Sequence, residues 1–131
     1  MIGPLELRFP ADPKLSRVVR LAASALASMG GFDVGLIDDV KLAVSEVVLA
    51  LIECGSANDV NVVLSLDGVT FRIHGSTMTD TFVSTHPDLG LCRSVLSGIT
   101  VSHEIVYANG AAQIRAELRD LEARFGDHAR I

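Results

Sequence analysis

The residue best placed to do chemistry is Glu46, in the run Asp38-Asp39-Val40-Lys41-Leu42-Ala43-Val44-Ser45-Glu46-Val47-Val48-Leu49-Ala50-Leu51-Ile52-Glu53. A lone carboxylate among valines and alanines on a long helix reads as buried, the setting in which a carboxylate serves as a general base. Residues at i and i+4 share a helix face, so Glu46 and Ala50 look the same way. Ala50 has no donor or acceptor, so the pair cannot hold a metal ion. Asp38 and Asp39 cannot share one helix face closely with each other, and they read instead as N-terminal acids that complement the helix dipole. His86 and His103 are far apart in sequence and lack companions at metal-ligand spacing. His74 reads as a solvated strand residue. Serine, histidine and aspartate are all present, but no nucleophile elbow surrounds any serine. Cys54 and Cys92 sit among apolar neighbours outside any Cys-x-x-Cys pair and read as small buried thiols.

Composition narrows the classes. The 131 residues suit one compact domain, 1–131, with no linker, repeat or charge block to divide it. Apolar residues make up 49% of the chain and charged ones 21%, as in globular proteins. The longest apolar run, 47–52, is far too short for a membrane span. No secretory signal is visible near Gly3-Pro4, so the expected location is cytoplasmic. A net charge of −5 without a basic cluster argues against direct nucleic-acid binding, which needs cations to displace phosphate counterions.

The elements follow from periodicity and punctuation. Leu5-Glu6-Leu7-Arg8-Phe9 alternates as a half-buried strand does, and Pro10 ends it. Asp12-Pro13 starts a helix whose apolar stripe is Leu15, Val18, Val19, Ala22, Leu26 and Met29, closed by Gly30-Gly31. A second helix starts near Asp33, turns Ile37, Val40, Val44, Val48 and Leu51 inward, and closes at Gly55-Ser56. A third covers 88–97, with Leu89, Cys92, Val95 and Leu96 at helical spacing. The segment 75–87 before it reads as a polar loop, and the tail 119–131 as a frayed helix end.

Two hairpins complete the pattern. Asp67-Gly68 as a two-residue turn pairs Leu66 with Val69, Leu64 with Phe71 and Val62 with Ile73 on the inner face. It places Ser65 against Thr70 and Asn61 against His74 outside. Asn109-Gly110 likewise pairs Tyr107 with Ala112, Ile105 with Ile114 and Val101 with Leu118 inside, and Glu104 with Arg115 outside. Sorting the large apolar residues to one face predicts an α+β two-layer sandwich, an antiparallel or mixed sheet covered on one face by three helices.

Over residues 5–118 the sequence resembles the anti-sigma-factor serine/threonine protein kinase family, a branch of the GHKL (histidine-kinase-like) ATPase fold. Phe9-Pro10-Ala11 with Pro13 is similar to that family's first strand-to-helix junction, and 39–46 to the segment leading into its N-box. Leu89-Gly90-Leu91 with Gly98-Ile99-Thr100-Val101 resembles its second glycine box. The resemblance implies ATP and Mg²⁺ between helices and sheet, with Glu46 as general base. It also implies a magnesium-holding asparagine at position 50 and an adenine-reading aspartate at position 75, followed by glycines. This chain has Ala50, Gly75 and Thr77 there, and 76–88 contains no glycine. The ATP-site positions carried over are therefore Glu46, Ala50, Gly75, Thr77, Leu89 and Gly90, with two of the essential groups missing.

Those absences define the functional expectation: a transcription regulator that binds a sigma factor, an anti-sigma-factor antagonist or both, with no cofactor and no ATP turnover. The alternative is an active ATP-dependent serine kinase acting on an antagonist, with Glu53 or Asn58 as a displaced metal ligand. The resemblance further implies a homodimer formed through the sheet and N-terminal region.

Overall fold

The computed structural model describes residues 1–55, 57–82 and 85–120. In chain order the elements are β1 (Ile2–Phe9), a 3₁₀ turn (Pro13–Leu15), α1 (Ser16–Met29), α2 (Val34–Cys54), β2 (Val60–Asp67), β3 (Thr70–Met78), α3 (Pro87–Ile99), β4 (Ser102–Ala108) and β5 (Ala111–Arg119). The strands form one antiparallel sheet in the order β1-β2-β3-β5-β4. The three helices cover one of its faces, with α2 between α1 and α3. The fold is thus α+β, with a fully antiparallel sheet.

Local chemistry sets the helix boundaries. The Asp12 carboxylate accepts the Lys14 N–H at 3.0 Å, and Pro13 occupies the first turn beside it. The Asp33 carboxylate caps α2 by accepting the Leu36 N–H at 2.8 Å. Past Gly30-Gly31, the Phe32 N–H returns to the Ala27 carbonyl at 3.1 Å and closes α1. The inward face of α1 differs from the expected stripe. Val19, Ala23, Leu26 and Ala27 are buried, whereas Val18 and Met29 are 53% and 70% exposed. Two apolar stripes run along this helix, and the alanine-bearing one faces inward, where small side chains permit close approach. α2 buries Val40, Val44, Val48 and Leu51 as expected, and Ala43, Val47, Ala50 and Cys54 besides.

The second hairpin has the expected register, with Tyr107 opposite Ala112, Ile105 opposite Ile114 and Glu104 opposite Arg115. Its turn residues Asn109 and Gly110 both have positive φ, 55° and 76°, as a type I′ turn requires. In the first hairpin the register is displaced by two residues. Leu66 pairs with Phe71, Leu64 with Ile73, Val62 with Gly75 and Asp67 with Thr70. The turn is Gly68-Val69, and only Gly68 is left-handed, at φ 62°. Glycine at the first central position is the type II′ arrangement, which spares the β-branched Val69 a positive φ. A displacement of two keeps every side chain on its expected face, so Gly75 still points inward.

Three further differences concern element ends. Residues 75–78 extend β3 instead of belonging to the loop. Val101 precedes β4 and is 46% exposed instead of inward. Arg119 closes β5, and the tail expected to fray as a helix lies from 121 onward outside the described residues, as do Ser56 and loop residues 83–84.

Phe71, Leu51, Leu64, Ile73, Leu89, Leu96, Ile114 and Leu118 form the deepest part of the core. The opposite sheet face is polar. Arg72 meets Glu117 at 3.3 Å and Asp67 at 3.4 Å, His74 meets Gln113 at 3.1 Å, and Arg115 meets Glu104 at 3.9 Å. Such exposed ion pairs contribute little stability each. No helix among the described residues is long and apolar enough to cross a membrane.

Candidate functional site

The expected groove lies where α2 crosses β3, and its floor is Gly75. Val47 and Leu51, one turn apart on the inward stripe of α2, both press on this residue. A β-carbon placed on Gly75 would lie 2.7 Å from Val47 Cγ1 and 2.7 Å from Leu51 Cδ1. Carbon atoms at rest lie about 3.5–4.0 Å apart, so the backbone of β3 already fills the contact. Any side chain at position 75 requires the helix or its side chains to move.

The next inward residue, Thr77, is also committed to structure. It is buried, its hydroxyl donates to the Asp59 carbonyl at 3.0 Å, and its methyl lies under Gly55 at the end of α2. Position 75, expected to read the adenine, and position 77, expected to be one of the glycines after it, are therefore both packed against the C-terminal half of α2.

Glu46 and Ala50 occupy α2 as the helical spacing predicts, but only Ala50 is buried. Glu46 is half-buried, not enclosed, and lies near enough to Cys92 of α3 for its charge to act on that thiol. Leu89 and Gly90 stand in the first turn of α3. Leu89 is a core residue at 1% exposure, whereas Gly90 is exposed with open space where a β-carbon would be. The structure thus brings Gly75 and Thr77 against α2 and separates the two halves of the Leu89-Gly90 pair. At the start of α3, His86 Nδ1 accepts the Asp88 N–H at 3.1 Å, a helix cap in place of a ligand role. Among the described residues no three histidine, cysteine, aspartate or glutamate side chains gather as a metal site.

The two thiols lie at the α2–α3 contact, both free and buried. Burial, and then the charge of Glu46, push Cys92 from the ordinary 9.0 up to about 12, with Arg93 opposing. Burial also raises Cys54, helped by Asp88 and Glu53. A raised thiol pKa favours the folded state while the thiol stays neutral in both states. That stability is complete below pH 9.0 and is lost as pH rises from there toward about 12, because the unfolded chain ionises first. We expect iodoacetamide to label Cys92 at neutral pH only after denaturant is added, and urea midpoints to fall above about pH 9. Rapid labelling of the native protein would contradict this placement.

Sequence reading missed a second concave feature. An opening of about 380 Å³ is lined by Asn58, Met78, Thr79, Asp80, Tyr107 and Gly110. The Tyr107 hydroxyl donates to the Thr79 carbonyl at 2.7 Å, and Phe82 stacks on its ring at 5.2 Å between centroids. These contacts hold the start of the β3–α3 segment against the edge strand. The available signal was Tyr107 itself, the single tyrosine of the chain.

Together these features define an α+β protein in which Val47 and Leu51 of α2 pack directly on Gly75 of β3. No family model matches the chain, and no curated protein matches it.

Proposed function

We propose that this chain is a cytoplasmic GHKL-fold regulator of the anti-sigma-factor type that works by binding proteins and not by turning over ATP. Its partners are a sigma factor, an anti-sigma-factor antagonist or both, and control is by competition between them. The observation that carries the reading is the contact of Val47 and Leu51 with Gly75, which occupies the place where a base-reading carboxylate would stand. Ala50, buried and without polar atoms, supports it from the metal side, because phosphoryl transfer needs a cation on the phosphate oxygens. Glu46 alone supplies a base with neither metal nor adenine to work on.

The test uses purified bacterial sigma factor and antagonist, each titrated with this chain with and without ATP and Mg²⁺. The expected result is saturable binding with the same affinity in both conditions and no phosphorylated antagonist. Phosphate transfer to an antagonist serine, abolished by Glu46→Gln, would establish the kinase reading instead. Failure to bind either protein would leave the fold without the proposed role.

A further inference from the structure

Two openings meet at Met78, the last residue of β3. Asn58, Thr79, Asp80 and Tyr107 line the larger, of about 380 Å³. Glu6, Arg8, Asp59, Asn61 and Ser76 line the smaller, of about 260 Å³. In the larger opening the donors are engaged within the protein. The Asn58 amide donates to the Met78 carbonyl at 2.8 Å, and the Thr79 N–H donates to the Gly110 carbonyl at 2.9 Å. The Tyr107 hydroxyl is likewise committed to the Thr79 carbonyl. In the smaller opening the Arg8 guanidinium lies 3.5 Å from the Asp59 carboxylate. The Asn61 Oδ1 is buried and has no donor among the described residues, which favours any ligand N–H able to reach it.

Acceptors and negative charge therefore dominate this surface, with Glu6, Asp59 and Asp80 against Arg8 alone. The three carboxylates do not converge on a point, since no three acidic, histidine or cysteine side chains among the described residues form a metal group. Between the two openings stands an apolar side chain, Met78, 56% exposed. Charge, apolar spacer and charge in a row is the form of a linear aliphatic amine. We propose that this trough binds a polyamine, with methylenes over Met78 and one ammonium group in each opening. One ammonium meets Glu6, Asp59 and the Asn61 Oδ1. The other meets Asp80, the Asn58 Oδ1 and Tyr107, which is 43% exposed and whose ring attracts cations. Asp80 already has a partner, but a carboxylate has about four lone-pair sites and accepts a further N–H beside it. Arg8 competes with the ligand for Asp59 and so holds the affinity down from within. Neither the Gly75 contact nor a protein partner enters into this binding.

Isothermal titration of the intact chain with spermidine at low ionic strength tests it. Saturable binding is expected, weakened by added salt because exposed charges are screened. Asp59→Asn is expected to weaken it about tenfold or more, and so is Met78→Lys, which places a cation between the openings. Arg8→Gln gives the sharper readout. It is expected to tighten binding about threefold or more, because Asp59 loses its internal partner. A merely structural role for these residues predicts no tightening. Circular dichroism and urea midpoints check that each variant keeps the wild-type fold, and Glu6→Gln replaces any that does not. A wild type that gives no saturable heat with spermidine overturns the proposal, including one that binds a lysine-rich peptide instead. So does an Arg8→Gln variant that binds no more tightly than the wild type, or displacement of spermidine by Mg²⁺ at equal charge concentration.

Discussion

Gly75→Asp is expected to destabilise the protein by about 3–5 kcal/mol, enough to threaten folding in a domain whose total stability is about 5–15 kcal/mol. Two costs combine. The new β-carbon would stand 2.7 Å from Val47 Cγ1 and Leu51 Cδ1. Forcing atoms into a filled core costs about 1–3 kcal/mol. The carboxylate must also lose water between two aliphatic side chains, which adds roughly 2 kcal/mol or more when no donor is at hand. Restoring the residue that an adenine site would use should therefore damage the fold instead of rebuilding the site. Urea denaturation of wild type and variant measures this directly. A variant as stable as the wild type would mean that the seam has room, and the sealed-groove account would lose its main support.

The second large effect concerns the other side of the same contact. Leu51→Ala removes a fully buried side chain and is expected to cost about 2–5 kcal/mol, as cavity-forming core substitutions do. Gly75→Ala alone has two opposed terms. Alanine is favoured over glycine in a strand by roughly 0.5–1 kcal/mol, whereas overpacking costs about 1–3 kcal/mol. The clash wins because Val47, β-branched on a helix, has little rotamer freedom with which to retreat. The informative variant is the double one. With Leu51 shortened, half of the clash at position 75 disappears, so the double variant should be more stable than the sum of the singles by about 1 kcal/mol. Strict additivity in that cycle would mean that the two residues do not meet.

How much of this was legible in the sequence depended on what each signal encodes. Asn109-Gly110 fixed its hairpin register because both residues accept positive φ, leaving one way to make the turn. Asp67-Gly68 did not, since a glycine can serve at either central position and the dipeptide alone does not say which. The neighbouring Val69 decided it, by avoiding the left-handed region. Strand parity was more robust than register: a displacement of two kept Gly75 on the inner face where the alternation put it. Helical spacing located α1 and α2 but did not choose between the two apolar stripes of α1, because Val18 and Met29 recur as regularly as Val19 and Leu26. The choice is made by packing, where Ala23 and Ala27 permit an approach that larger residues prevent.

The candidate site divided the same way. The lack of polar atoms at Ala50 and of a carboxylate at Gly75 could be read from residue identity. That Val47 and Leu51 descend on Gly75 could not, because it depends on where α2 crosses β3, a non-local quantity that no local pattern carries. The half-exposure of Glu46 was hidden for a related reason. Its valine and alanine neighbours in sequence are buried, while Glu46 itself is half-buried and acts electrostatically on Cys92 of α3.

The proposal that the chain works without nucleotide, because α2 packs directly on Gly75, is tested most directly by isothermal titration of the intact wild-type chain with ATP in the presence of Mg²⁺. The account predicts heats no larger than those of dilution and an unfolding temperature unchanged by saturating ligand, since a ligand that binds only the native state must stabilise it. A saturable isotherm in the micromolar range, with a matching rise in unfolding temperature, would contradict it.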